Sequence, residues 1–131
     1  MEELQKIMET HVGIVREEKE LLEGLQKLEA LKPKIKNVKA TGDKIYNPGW
    51  HCCVDLQNMI AVSEAITRGA IERKESRGGH TRLDHPASSP EFGKINIVIS
   101  KKGGEMKVNK QPLPKMPEEL QVLINNSSSS S

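Results

Sequence analysis

Arg16-Glu17-Glu18-Lys19-Glu20-Leu21-Leu22-Glu23-Gly24-Leu25-Gln26-Lys27-Leu28-Glu29-Ala30-Leu31-Lys32 is the stretch that decides the fold class. Leu21, Leu22, Leu25, Leu28 and Leu31 recur at helical spacing and line one face. Glutamates gather at its start, and Lys32, Lys34 and Lys36 at its end, an order that suits the helix dipole. Pro33 marks a stop or a kink near Lys32. The leucine stripe covers fewer than about two heptads, so it reads as bundle core rather than a coiled-coil seam.

Working outward, residues 2–9 read as a short helix with Leu4, Ile7 and Met8 on one face. Residues 10–15, with Gly13, read as a break. Residues 37–49 form a connection, with a turn at Thr41-Gly42-Asp43 and a helix-start or turn signal at Asn47-Pro48-Gly49. A central helix then runs from about Trp50 to Lys74. Leu56, Met59, Ile60, Ser63, Ile66, Thr67 and Ala70 repeat along it every three or four residues. Gly69 inside it costs up to ~1 kcal/mol relative to alanine, which points to close packing there. The pattern changes at Ile95-Asn96-Ile97-Val98-Ile99, which alternates and is β-branched. With a turn at Lys101–Gly104 and a second alternating run at Met106–Asn109, it predicts a hairpin over about 94–110. An isolated hairpin is marginal in water, so it must rest on the helices or on another domain. Pro117 opens a short last helix, and Ser127–Ser131 reads as a disordered low-complexity tail. The expectation is a mainly α domain over 1–126: an antiparallel three-helix bundle with an appended β-hairpin and a short C-terminal helix.

Composition narrows the function. Aromatics are 2% of the 131 residues, so the core must be aliphatic and lean, and part of the surface is expected to meet another domain. Twenty basic residues against 18 acidic ones give a net charge of +2, which argues against a dedicated nucleic-acid binder. The acidic start does not resemble a secretory leader, and no apolar run reaches membrane-spanning length. Cys52 and Cys53 are adjacent, cannot make a disulfide framework, and fit a reducing cytosol. There is no G-x-G-x-x-G after a strand, no phosphate-binding P-loop, no C-x-x-C and no nucleophile elbow. A complete enzyme is therefore not expected in these residues alone.

The densest chemistry lies in Arg73-Lys74-Glu75-Ser76-Arg77-Gly78-Gly79-His80-Thr81-Arg82-Leu83-Asp84-His85-Pro86. Arg77 and Arg82 carry planar forks suited to carboxylates, with Glu75 and Asp84 as candidates. Gly78 and Gly79 allow backbone angles closed to other residues, and His80 is placed to donate to a backbone carbonyl and lock the turn. The arginines could instead bind a dicarboxylate or phosphate, but intramolecular pairing is the favoured reading. His80, His85 and Asp84 match no standard zinc spacing, and His51-Cys52-Cys53 lacks a second ligand pair. Interleaved acids between Arg68 and Arg82 favour a mixed-charge docking surface over a nucleic-acid contact.

This run resembles the C-terminal signature of the flavoprotein subunit of succinate dehydrogenase and fumarate reductase, with L-aspartate oxidase among the relatives. That pattern is approximately R-x-E-S-R-G-x-H-x-R-x-D-[YF]-P. Arg73, Glu75, Ser76, Arg77, Gly78, His80, Arg82, Asp84 and Pro86 match it, and His85 stands where an aromatic is usual. Leu4–Met8, Gly13–Arg16, Gly24–Leu28, Asp55–Ile60 and Ala70–Arg73 extend the similarity over roughly residues 2–100, with a weaker continuation to Ile124.

The resemblance implies the C-terminal helical domain of an FAD-dependent oxidoreductase that interconverts succinate and fumarate, or acts on a close dicarboxylate analogue. FAD, the catalytic arginine and the substrate-binding histidines would lie in other domains of the parent. No residue here inherits a catalytic, cofactor-binding or metal role. The eight residues Arg73, Glu75, Ser76, Arg77, Gly78, His80, Arg82 and Asp84 would form a structural docking motif against the flavin-binding domain. An iron–sulfur subunit is the implied partner, with no nucleic acid and no direct membrane insertion. The location would be cytoplasmic, at the inner face of the membrane through partner subunits. The competing expectation is a stand-alone helical protein-interaction module derived from that domain.

Overall fold

The computed structural model describes residues 2–37 and 48–128. The turn expected at Thr41-Gly42-Asp43 lies outside them, and the side chains of His51 and Cys52 are likewise not described. The chain is mainly helical with one small antiparallel hairpin. In order come α1 (Glu2–His11), β1 (Val15–Arg16), α2 (Glu18–Lys36), α3 (Pro48–Glu72), β2 (Thr81–Arg82), a turn of 3₁₀ helix (Phe92–Lys94), β3 (Ile95–Lys102), β4 (Glu105–Pro112) and α4 (Glu118–Ser128).

In α2 the buried positions are Leu21, Gly24, Leu28, Leu31 and Ile35, a stripe at spacings of three and four. Leu22, read from sequence as part of the stripe, is exposed instead. The helix passes through Pro33 and ends at Asn37, whose N–H reaches the Pro33 carbonyl at 3.3 Å. Proline costs it one backbone bond, but Ile35 beyond it is buried in the core and holds the last turn in place. On α3 the buried face is Leu56, Ile60, Ser63, Glu64, Thr67 and Ala70, while Ile66 lies off that face and is exposed. The Thr67 hydroxyl donates to the Ser63 carbonyl at 2.8 Å, so its burial leaves no unmet donor.

One core joins Leu4 and Ile7 of α1 to Leu28, Leu31 and Ile35 of α2 and Leu56 and Ile60 of α3. Val12, Leu21 and Ala70 form a second cluster, and Met8 packs against both. Burying each leucine stabilises the fold by about 1.5–3 kcal/mol. Side-chain contacts show how the helices run: Lys34 pairs with Glu3 at 3.5 Å while the Lys27 ammonium donates to His11 Nε2 at 2.8 Å, so α1 and α2 cross in opposite directions. Lys32 pairs with Glu64 and Arg68 with Glu29 at 3.3 Å, and α2 and α3 do the same.

Close packing falls at a different glycine from the one expected. A Cβ at Gly24 would stand 2.7 Å from the Cβ of His11, so α1 and α2 approach through that position. At Gly69 the nearest atom would be Ile99 Cδ1 at 3.6 Å, an ordinary contact with the hairpin. The hairpin pairs Ile95↔Pro112 through Lys102↔Glu105. Gly103 (φ 62) and Gly104 (φ 83) supply the two positive angles of a tight turn, one residue later than the sequence reading placed it. Lys110 reaches Glu72 at 3.1 Å and tethers the hairpin to the end of α3. Among the described residues no helix is long and apolar enough to cross a membrane.

Candidate functional site at the end of α3

A helix leaves its last four carbonyls without intrahelical partners. The charged run after α3 supplies them. Arg82 is fully buried, and its Nη1 donates to the carbonyls of Ala70 at 2.8 Å and Ile71 at 3.2 Å. A guanidinium there also faces the negative end of the helix dipole. The rest of the fork grips Asp84: Nε meets Oδ1 at 2.8 Å and Nη2 meets Oδ2. The pairing with Arg82 pulls the Asp84 carboxyl down to about 2, against a partial opposing effect of burial.

His80 closes the cap two residues further on, at Arg73. Its Nε2 lies 2.9 Å from the Arg73 carbonyl and its Nδ1 lies 2.8 Å from Arg16 Nη1. Arginine only donates, so Nδ1 accepts and Nε2 carries the proton. Burial holds the ring below the ordinary histidine range, Arg16, Arg82 and Arg73 push the same way, and the bond to the Arg73 carbonyl opposes them. The turn itself is short: Arg77 and His80 exchange backbone bonds of 2.8 and 3.0 Å, with Gly78 at φ 58.

Glu75 is fully buried and takes three donors. Arg73 and Arg77 Nε (3.1 Å) meet Oε1, and the Ser89 N–H meets Oε2 at 2.7 Å. Burial pushes this carboxylate up, but the bonds from Arg77, Ser89 and Arg73 outweigh it and leave it below the usual range. Ser76 Oγ accepts the Arg82 N–H at 2.8 Å and donates to the His85 carbonyl at 2.8 Å. Arg73 carries the network onward to the hairpin, with bonds of 3.3 Å to the carbonyls of Phe92 and Ile95. Its guanidinium stands 5.9 Å from the Phe92 ring, which Lys110 also covers at 5.0 Å.

All eight residues singled out from sequence therefore come together. Arg77 differs from the others: its side chain is half-exposed, and its Nη2 reaches the Ser89 carbonyl at 3.2 Å. Three contributors escaped sequence reading. Arg16 lies 64 positions from His80, Ser89 meets Glu75 and Arg77 through its backbone, and Phe92 sits in a one-turn helix without periodicity. β1 and β2 pair in parallel, Val15↔Thr81 and Arg16↔Arg82, and two-residue strands leave no alternation to read. His85 stands 3.6 Å from Asp84, and among the described residues no three His, Cys, Asp or Glu side chains are grouped to hold a metal. The polar atoms of the turn cap, clamp and tie.

Residues 1–122 match the family described as fumarate reductase flavoprotein C-term. An uncharacterised FAD-dependent oxidoreductase of Methanocaldococcus jannaschii is 36% identical over 108 residues, covering 78% of this chain and 18% of that protein. The fumarate reductase flavoprotein subunit of Helicobacter pylori is 35% identical over 91 residues, covering 69% and 13%. Mycobacterium smegmatis Sdh1, solved in complex with UQ1, superposes with a TM-score of 0.89 at 35% identity over 98% of this chain and 22% of its own. The chain thus spans about a fifth or less of the length of these two curated relatives. By that match over nearly its whole length, the chain belongs to the C-terminal family of the succinate dehydrogenase and fumarate reductase flavoproteins.

Proposed function

We propose that this chain is the structural and docking domain of an FAD-dependent oxidoreductase that interconverts succinate and fumarate in electron transport, with catalysis placed elsewhere in the parent. The observation that carries the proposal is the use of the signature run. Its buried charges are spent on α3, on β1 and on the hairpin, leaving a rigid fixture rather than a substrate cradle. The Gly78–Gly79 turn follows a helix and leads into β2, so it does not fit the strand-to-helix glycine turn that holds a dinucleotide pyrophosphate. No step through FAD is assigned to these residues.

In this reading α1, α2 and α3 work as an antiparallel three-helix bundle over the domain 1–126. The eight signature residues form its docking motif. The flavin-binding domain is the immediate partner and an iron–sulfur subunit the next, with the assembly on the cytoplasmic side of the membrane. Replacing Arg77 by Ala in the whole flavoprotein should weaken domain association or folding and leave substrate affinity of the surviving enzyme unchanged. Loss of substrate affinity alone would contradict the proposal. The second reading, a free-standing interaction module, draws on the exposed Leu120, Val122 and Leu123 of α4. Purification of the native protein without flavin would favour it.

A further inference from the structure

Between α1 and α2 lies a groove of about 350 Å³, at the small end of the range for ligand pockets. Ile7, Ala30 and Leu31 give it apolar walls. His11, the last residue of α1, also lines it and is only 9% exposed. Its Cβ packs on Gly24, where an added Cβ would stand 2.7 Å away, so the ring is held between the two helices. Lysine only donates, so the Lys27 ammonium at 2.8 Å makes Nε2 an acceptor and puts the ring proton on Nδ1. That nitrogen is the one buried side-chain N or O atom among the described residues without a hydrogen-bond partner. Buried Arg82, Glu75 and Thr67 are all met by partners, so a donor left over at a groove wall is an exception that calls for an acceptor. The groove is cationic as well: Lys6, Lys27 and Lys34 line it against one acid, Glu3. Glu3 is taken by Lys34 at 3.5 Å and Glu23 reaches Lys27 at 3.2 Å, whereas Lys6 meets no acid among the described residues.

We infer that this groove binds a small monocarboxylate with an unbranched aliphatic tail. One carboxylate oxygen accepts the His11 Nδ1–H in the field of Lys6 and Lys27, and the tail lies along Ile7, Ala30 and Leu31. The negative end of the α1 dipole stands at His11 and opposes an anion, but more weakly than a hydrogen bond to a charged group attracts it. Lys34 lies about two turns of α2 beyond Lys27, and Glu3 beside it already balances its charge. A second carboxylate at that end would meet an acid, so the ligand carries its charge at one end only. Nδ1 is enclosed in this structure, and the exposed lysine side chains that line the groove are long and flexible enough to move aside as the ligand enters.

The test is an NMR titration of the isotope-labelled full chain with hexanoate as the probe. Hexanol, of equal length and uncharged, and adipate, with a carboxylate at each end, are the references. Before any addition the His11 ring should carry its proton on Nδ1. Hexanoate should shift that nitrogen to saturation, with an affinity about tenfold above either reference. His11→Asn, whose amide N–H can stand in for Nδ1–H, should bind within about threefold of the native chain, and His11→Leu about tenfold more weakly. Ala30→Phe, at an exposed position, should fill the groove and abolish the shift, with circular dichroism confirming that the helices are retained. A ring proton on Nε2, or a hexanoate shift that never saturates, would overturn the inference. So would equal affinity for hexanol or adipate, or undiminished binding by a helical His11→Leu or Ala30→Phe chain.

Discussion

The knot after α3 and the arm beyond β4 are both poor in core residues, yet they are built on opposite principles. The knot buries Arg82 and Glu75 completely and meets them with carbonyls, carboxylates and backbone N–H groups. The arm keeps Leu113, Met116, Leu120, Val122 and Leu123 between 41% and 65% exposed. Leaving a buried charge unpaired costs far more than trimming an exposed aliphatic. The chain's own stability should therefore depend on the knot and scarcely on the arm.

The largest effect is expected at Arg82. Arg82→Ala strips the Ala70 and Ile71 carbonyls and the Asp84 carboxylate of their donor and should cost about 3–5 kcal/mol in urea unfolding. Leu28→Ala, in the centre of the core, should cost about 2–5 kcal/mol, so the polar knot and the apolar core would rank together.

The helix glycines come next. Gly24→Ala forces a Cβ against His11 and should destabilise by about 1–3 kcal/mol, whereas Gly69→Ala meets only ordinary contact and should stabilise by up to ~1 kcal/mol. Leu123→Ala in the arm should change stability by less than about 0.5 kcal/mol.

Acid should separate the two regions as well. Asp84 and Glu75 are both held below their ordinary values, so the unfolded chain binds their protons first as the pH falls. The stability they lend is full above the unfolded values of 3.8 and 4.5, and for Asp84 it is lost as the pH drops toward about 2. His80, lowered from 6.5, adds an earlier loss as the pH falls through that value, because the unfolded chain protonates there while the folded ring stays neutral. The urea midpoint should therefore step down near pH 6.5 and again below pH 4.5. Asp84→Asn should remove the part of the loss nearest pH 2.

The same contrast explains what was legible in the sequence. The leucines of α2 announce a helix because burial repeats every turn, and the alternation of Ile95, Ile97 and Ile99 announces a strand. The eight residues of the knot were legible as a cluster and by resemblance. Their division of labour was not: nothing local says that Arg82 turns inward to cap α3 while Arg77 stays half outside. Arg16 was invisible for the same reason, since its role depends on a two-residue pairing with a strand far along the chain. Periodicity also placed Leu22 and Ile66 on the wrong side of their faces, because a stripe that drifts around a helix is fixed only by what packs on it.

Urea unfolding of Arg82→Ala beside Leu28→Ala tests most directly whether the signature run is architecture. A loss for Arg82→Ala within about a factor of two of that for Leu28→Ala is the predicted result. A loss below about 0.5 kcal/mol, the size of an ordinary surface substitution, would contradict it.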